Sequence, residues 1–239
     1  MPIHNHDGVG GMHMYMPWWR FGKKNEFLRG YHIEFGGGRD MPGVGGFDYV
    51  CEEREGYGVS LKQQCRTSYG CFIGFSGRGE MIPNRDCYCD IDPEVKDKWG
   101  IPVLRFHWGW GENELKMAAD MQQTFRSIIE AAGGTVIAGT RRHPQKAAAG
   151  ESNELEQQPA GHISTGGAII HELGCVRMGN DPKTSPLNKN CQAHDVPNLF
   201  VADAAPFVSN PDKNPTLSIM ALAWKTSDYL LDQAKKRNI

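Results

Sequence analysis

Two side chains near the C-terminal end of this 239-residue chain could take part in chemistry, His171 and Asn214. His171 begins the segment HELGCVRMG, and an imidazole can accept a proton from a substrate near neutral pH. Asn214 precedes an apolar repeat of helical period, which predicts a helix with Asn214 as its N-cap and Pro215 as its first residue. The N-terminus of such a helix carries free N–H groups and partial positive charge, so it can hold an electron-rich group of a ligand.

Both residues also have ordinary structural interpretations, and the residues alone leave these open. Asn214 can simply cap a core helix, and His171 can be a structural or an exposed histidine. A metal site is not predicted, because His162 and His171 are nine residues apart and Cys175 adds only one further ligand. The seven cysteines include no C-x-x-C pair and are interpreted as free thiols.

The segment between residues 162 and 232 resembles the C-terminal region of the glucose–methanol–choline (GMC) flavoprotein oxidoreductases. In that family a His-x-x-Gly-(Thr/Cys)-x-x-Met-Gly run is followed by a strand that ends in Asp-(Ala/Gly). Asn-Pro-Thr or His-x-x-Thr then opens the last helix. This chain has the three elements in the same order, at residues 171–179, 203–204 and 214–216. A weaker likeness to the family's substrate domain lies upstream, in GEMIPNRDCYCDIDPEVKDKWGIPVLRFHW.

The resemblance implies FAD-dependent oxidation of a CH–OH group in an alcohol, a sugar or a sugar acid, with hydride transfer to the flavin. It implies that His171 is the base that takes the hydroxyl proton and that Asn214 hydrogen-bonds the substrate oxygen. The residues expected to contact FAD are Asp203, Ala204, Asn214, Pro215 and Thr216. Oxygen, a quinone and a cytochrome all stay open as the electron acceptor.

The composition is that of a globular protein, with 39% hydrophobic and 23% charged residues. A net charge of -2 argues against nucleic acid as a partner. No stretch approaches the ~20 apolar residues of a membrane span, so none is predicted. The expected partner is a small alcohol or sugar, and no targeting signal indicates a compartment.

Alternating segments predict short strands, and apolar repeats of helical period predict two helices. Strands are predicted at residues 29–35, 47–52, 57–63, 71–75, 85–91, 103–110, 135–138 and 198–203. A helix is predicted at residues 112–132, ending before Gly133, with a buried face of Leu115, Ala118, Met121, Phe125, Ile128, Ile129 and Ala132. The helix after Asn214 is predicted to bury Leu217, Met220, Ala221, Trp224, Leu230 and Leu231. An aromatic row at Phe106, Trp108 and Trp110 suits core packing or, alternatively, the wall of a substrate pocket.

Together these elements predict an α+β fold with two domains. Residues 1–165 are predicted to form a substrate domain, a mainly antiparallel sheet with flanking helices. Residues 166–239 are predicted to form the C-terminal strand–loop–helix of an FAD-binding α/β domain.

The cofactor domain is expected to be incomplete. The Gly-x-Gly-x-x-Gly turn that would hold the ADP half of FAD is absent from the sequence. The N-terminal Rossmann part is therefore expected to be missing, and an N-terminal FAD-binding part becomes a possible partner. The alternative is a non-catalytic fragment, or a sugar-binding module that kept the fold without a complete FAD site.

Overall fold

The structure, a computed structural model, describes residues 14–20, 22–37, 57–68, 73–136, 163, 171–209 and 211–239. These residues form five strands and three helices, an α+β fold. The chain divides into two compact units. The first comprises Met1–Glu26, Tyr31–Arg78 and Lys116–Ile163, and the second Phe27–Gly30, Gly79–Leu115 and Ser164–Ile239. The domain boundary after residue 165 stays a prediction.

The first unit is built on a three-stranded sheet. Its strands, in spatial order, are β1 (Met14–Trp19), β2 (Tyr31–Gly37) and β3 (Ile73–Gly79). Gly79, the last residue of β3, is counted with the second unit. β1 and β2 pair antiparallel, with Met14 opposite Phe35. Tyr31 and Ile33 point to the core and are fully buried. β2 confirms the strand predicted at residues 29–35, and β3 begins within the strand predicted at 71–75.

A buried polar network fastens β2 within this unit. The Tyr31 hydroxyl donates to Asp120 at 2.6 Å and lies 3.1 Å from the Thr124 hydroxyl. Arg20 closes the network with a two-point ion pair to Asp120, at 3.0 and 3.1 Å. Burial, reinforced by the bond to Asp120, raises the pKa of Tyr31. Because each buried polar group has a partner, the network orients β2 at little desolvation cost.

One predicted strand is wrong. Residues 57–63 were expected to alternate in a strand, but the structure forms helix α1, Val59–Ser68, after Gly58 at a φ of +65°. The segment SLKQQCR is rich in straight-chain residues that lose little rotamer freedom in a helix. The strand predicted at 47–52 lies outside the described residues. Thr135 and Val136 are not in a strand, and the rest of the strand predicted at 135–138 is not described.

Helix α2, Glu112–Ala131, confirms the predicted helix and its end. Gly133 has a φ of +76°, and the N–H groups of Gly133 and Gly134 donate back to Glu130 and Ile129 at 3.0 and 2.9 Å. This pair of hydrogen bonds is the Schellman motif, which the left-handed conformation of Gly133 makes possible.

The buried face of α2 differs in part from the prediction. Leu115, predicted to be buried, is 50% exposed, whereas Met117 is 2% exposed. Glu114 is also buried, and its carboxylate accepts from the backbone N–H groups of Ile82 and Gly111 at 3.2 and 3.1 Å. These two bonds keep the Glu114 side chain on the inner side of the first turn of α2. Leu115, the next residue, lies on the outer side.

The second unit contains a two-stranded antiparallel ribbon of β4 (Tyr88–Lys96) and β5 (Pro102–His107). The turn between them places Gly100 at a φ of +84°, and Asp97 Oδ1 accepts from the N–H groups of Trp99 and Ile101 at 2.9 Å. The strands predicted at 85–91 and 103–110 are confirmed, although β5 ends earlier than predicted.

The ribbon has one polar and one apolar face, because directly paired residues share a side. Asp90 makes a two-point ion pair with Arg105 on the polar face, at 2.7 and 2.9 Å. The apolar face carries the pairs Cys89–Phe106 and Ile91–Leu104. Its three large side chains, Ile91, Leu104 and Phe106, are 66, 59 and 63% exposed.

The aromatic row that begins at Phe106 in β5 is not in the core. Phe106 and Trp108 are both exposed, at 63 and 42%, so core packing is the wrong interpretation for these two. Trp108 and Trp110 lie beyond the strand and contact each other edge to face, with ring centroids 4.4 Å apart. Their use as the wall of a substrate pocket stays a prediction.

Candidate active site

Residues 171–179, the His171 loop, lie against residues 203–206, the Asp203 segment. Three backbone bonds join them: the N–H groups of Gly174, Val176 and Met178 donate to the carbonyl oxygens of Ala204, Ala205 and Pro206 at 3.3, 3.1 and 2.9 Å. The donors are two residues apart, whereas the acceptors are three consecutive residues of a turn. Two of the sequence elements on which the resemblance rested are therefore in direct contact.

Gly174 is required for this approach of the two segments. It has a φ of +85°, and a Cβ added there would lie 3.0 Å from the backbone oxygen of Phe207. Only glycine adopts such a backbone conformation freely. The local backbone therefore explains why a glycine stands at this position of the HELG sequence.

Gly174→Ala is expected to destabilise the chain by about 1–2 kcal/mol, the cost of a left-handed backbone for a residue with a Cβ, increased by the contact with Phe207. Urea unfolding of the two proteins measures the difference. Gly109→Ala is the matched control, because a Cβ at Gly109 meets no atom within 4 Å. An equal loss of stability in both variants would contradict this account of Gly174.

The Asp203 segment is a tight turn on the surface. Asp203 is exposed, and its Oδ1 accepts from the N–H of Ala205 at 2.8 Å. The carbonyl of Ala204 accepts from Gly174 and from Phe207, both at 3.3 Å. An aspartate that bonds the backbone two residues ahead fixes a turn without a regular strand or helix.

The strand predicted at residues 198–203 is wrong. The structure has only an isolated bridge between Gln192 and Phe200, followed by a bond from the N–H of Val201 to the carbonyl of Cys191. Cys191 is in a left-handed conformation with a φ of +58°. The partner segment therefore turns away after one bridge, and pairing cannot extend along residues 198–203.

Helix α3, Thr216–Lys235, confirms the second predicted helix but not its predicted cap. Pro215 is the capping residue, without a side-chain capping bond, and its carbonyl accepts from the N–H of Ile219 at 2.9 Å. Asn214 therefore lies one position before the cap, and its side chain is exposed. The reason is that the Pro215 carbonyl already accepts the first intrahelical bond.

The predicted buried face of α3 is also wrong. Thr226 is 2% exposed, and it lies nine residues, or two and a half turns, from Leu217 and therefore on the opposite side of the helix. The residues on the outer side are mostly large and apolar. This outer face of α3, defined by its exposed members, consists of Leu217, Met220, Ala221, Trp224 and Leu231.

Three contacts that sequence analysis missed attach α3 to the loop at 188–200. Tyr229 donates to the side-chain oxygen of Gln192 at 3.3 Å, and its ring lies 6.2 Å from that of Phe200. Lys225 Nζ donates to the carbonyl of Lys189 at 2.6 Å. The helical spacing of Lys225 and Tyr229 could have indicated a shared side, but nothing in the sequence identifies their partners.

The predicted catalytic and cofactor residues all belong to the second unit. His171 is half-buried and makes an interaction of its own. Pro215 is buried, whereas Asp203, Asn214 and Thr216 are exposed. In the structure, backbone bonds join the His171 loop to the segment that contains Asp203 and Ala204. The convergence of the His171 and Asn214 side chains stays a prediction.

The electrostatic environment of Cys175, in the His171 loop, was also missed. Burial raises the pKa of Cys175, and the neighbouring Cys89 and Asp203 raise it further. The two cysteines are far apart along the chain, and no spacing rule could have paired them.

Among the described residues, no cluster of three His, Cys, Asp or Glu side chains could hold a metal ion. None of the three helices has the length and apolar character that crossing a membrane would take.

Comparison with known proteins points to one family. The family model described as GMC oxidoreductase matches residues 83–223. The chain is 32% identical over 180 residues to a gluconate 2-dehydrogenase flavoprotein of Pantoea cypripedii, which covers 75% of this chain and 27% of the relative. It is 30% identical over 171 residues to a fructose dehydrogenase large subunit of Gluconobacter japonicus, which covers 72% of this chain and 27% of the relative.

A third relative is similar over a shorter stretch. The chain is 33% identical over 152 residues to a 2-methyl-1,2-propanediol dehydrogenase of Mycolicibacterium austroafricanum, which covers 64% of this chain and 24% of the relative. The chain thus spans about a quarter of the length of the curated relatives it matches.

Proposed function

Because the chain belongs to the GMC oxidoreductase family, whose members are FAD-dependent flavoproteins, we propose that it is the C-terminal part of an enzyme that oxidises a CH–OH group. The substrate class is an alcohol, a sugar or a sugar acid. Relatives named for gluconate, fructose and a propanediol support that range. The electron acceptor is left open among oxygen, a quinone and a cytochrome.

The backbone ladder between the His171 loop and the Asp203 segment carries this proposal. It unites the proposed base with the proposed flavin-binding turn in one compact unit. Three backbone bonds hold residues 174–178, the part of the loop that follows His171. Such preorganisation is what a positioned general base requires.

In the proposed reaction His171 accepts the hydroxyl proton at a ring nitrogen, and the Asn214 amide donates a hydrogen bond to the substrate oxygen. FAD, when bound, would supply the acceptor for the hydride that leaves the carbon bearing this oxygen. The proton then stays on His171 until solvent or a second group removes it. His171 is half-buried, so part of the residue stays accessible to a substrate.

The residues present fit part of FAD. The exposed Asp203 turn and the exposed start of α3 offer a carboxylate, an amide and backbone N–H groups. Asp203, Ala204, Asn214, Pro215 and Thr216 would hold the flavin side of the cofactor. No Gly-x-Gly-x-x-Gly turn in the given sequence supplies the adenosine side, so an N-terminal FAD-binding part outside this sequence is proposed to complete the site.

The outer face of α3 supports the same partner. A helix that is apolar on two sides is expected to be covered on both, and Leu217 and Trp224 are 80 and 74% exposed here. We assign the N-terminal FAD-binding part as the cover of this face. Association would then bury the outer face and complete the cofactor site in one step.

The experiment is to titrate FAD into the 239-residue chain alone and into the chain supplied with an N-terminal FAD-binding part, encoded upstream in the same or in an adjacent reading frame. We expect weak or no binding by the chain alone, and a yellow stoichiometric complex that oxidises gluconate, fructose or a diol when both are present. A yellow complex of the chain alone would contradict the division of the site. Binding of a sugar without flavin or turnover in either sample would favour the non-catalytic sugar-binding module.

A further inference from the structure

The polar face of the β4–β5 ribbon carries a cluster of four side chains that the proposed reaction does not use. Its members are Tyr88 and Asp90 on β4, and Arg105 and His107 on β5. Tyr88 is paired directly with His107, and Asp90 with Arg105, so all four project from one side of the ribbon. We propose that this cluster binds the ring of a neutral saccharide.

Asp90 holds the polar groups of the cluster in place. Its carboxylate accepts two bonds from Arg105, at 2.9 and 2.7 Å, and both of its oxygens lie 3.3 Å from Nε2 of His107. The bonds from Arg105 keep the pKa of Asp90 below its usual value, so the carboxylate is ionised at neutral pH. An ionised carboxylate only accepts hydrogen bonds, and Nε2 of His107 therefore carries a proton.

The groups that Asp90 leaves unused can serve sugar hydroxyls. Arg105 uses Nε and Nη2 in its ion pair, which leaves Nη1 as a donor. A neutral His107 with its proton on Nε2 presents Nδ1 as an acceptor, and the Tyr88 hydroxyl can do both. A sugar hydroxyl also donates and accepts, so the cluster and a saccharide ring are complementary in their hydrogen bonds.

An aromatic surface lies beside these groups. The rings of Tyr88 and His107 are stacked, with centroids 4.2 Å apart and planes inclined by 16°. Tyr88 is nevertheless 51% exposed, so part of its ring stays open to a ligand. The stack orients the Tyr88 ring in advance, and contact with the C–H groups of a sugar ring would then cost little further ordering.

The charges near the cluster favour a neutral sugar over a sugar acid. Asp92 follows Asp90 on the same side of β4 by alternation. Its pKa is lowered because its carboxylate accepts from the backbone N–H groups of Val95 and Glu94, both at 2.8 Å. Two carboxylates thus lie near the single guanidinium of Arg105, and the cluster offers no surplus positive charge to an anion.

The proposal does not rest on the proposed oxidation, because binding at the cluster needs neither FAD nor a second protein part. The test adds methyl α-D-glucopyranoside to the 239-residue chain and measures binding by saturation-transfer difference NMR. We expect saturable transfer to the C–H protons of the sugar, with a dissociation constant in the millimolar range. Glucuronate, which has a pyranose ring with a carboxylate, should bind more weakly.

Tyr88→Ala should weaken binding of the glucopyranoside by about tenfold, the upper end of what an aromatic contact contributes. Phe106→Ala is the matched control, because Phe106 is a 63% exposed aromatic residue on the opposite face of the same ribbon. This control should bind as the unmodified chain does.

Three results would overturn the proposal. They are a lack of saturable transfer well above millimolar sugar, equal affinity of Tyr88→Ala and Phe106→Ala, and glucuronate binding as tightly as the glucopyranoside. Amide spectra of the unmodified chain decide the case if Tyr88→Ala does not fold. The glucopyranoside should shift resonances of β4 and β5, and shifts confined to other segments would contradict binding at the cluster.

Discussion

His171→Ala is expected to lower the turnover number of the assembled enzyme by about 10²–10⁴-fold, the usual contribution of a general base. The FAD content should stay unchanged, because His171 is proposed to act on the substrate proton and not to hold the cofactor. Steady-state kinetics with saturating substrate measures the effect.

His194→Ala is the matched control for a lost histidine in the same unit. His194 Nε2 lies 3.2 Å from the carbonyl of Gly179, so this variant should lose about 1 kcal/mol of stability while keeping its turnover number. Normal turnover in His171→Ala would remove that residue from the mechanism. Parallel losses of turnover in both variants would mean that the loop only has a structural role.

Trp224→Glu is expected to weaken association with the proposed N-terminal FAD-binding part by about 100-fold or more. Burial of an aromatic side chain of this kind is worth up to about 3 kcal/mol, and each 1.4 kcal/mol corresponds to about a factor of ten in the dissociation constant. A buried carboxylate without a partner adds a further cost. Titration of one part into the other, monitored by flavin fluorescence, measures the change.

Ser218→Glu places the same charge on the same helix, at an exposed residue outside the outer face of α3. It should associate as the unmodified chain does, because an acidic residue in the first turn suits the helix dipole. Equal affinity of the Trp224→Glu and unmodified chains would show that the outer face of α3 is covered by something else or stays in solvent.

Local signals made several elements predictable. The period of α2 and the glycine after it identified the helix and its end, because both depend on neighbouring residues only. The alternation of side chains predicted strand β2. It also predicted the two strands of the β4–β5 ribbon, with a turn between β4 and β5. Straight-chain residues in α1 were misread because a short alternating segment does not separate a strand from an exposed helix.

The orientation of α3 could not be predicted for a different reason. Apolar residues lie on nearly every side of this helix, so its period shows that a helix forms but does not say which side Thr226 or Trp224 faces. The choice depends on contacts from residues such as Gln192 and Lys189. The effect of Cys89 on the pKa of Cys175 is likewise long-range and leaves no local signal.

The site was predictable only as a set of sequence elements. The His-x-x-Gly run and Asp203 were expected to belong to one site, and the backbone ladder between them gives a physical form to that expectation. The strand before Asp203 and the cap at Asn214 were both wrong, because Cys191 turns the partner segment away and the Pro215 carbonyl starts the helix. Whether His171 and Asn214 act on one substrate stays a prediction.

The β4–β5 ribbon has a practical consequence for anyone who produces this chain. Two strands alone are only marginally stable in water, and this ribbon presents Ile91, Leu104 and Phe106 to solvent along one side. Copies released from a ribosome at high concentration can adhere through such surfaces before folding is complete. Slow induction is therefore the rational starting condition for a usable yield.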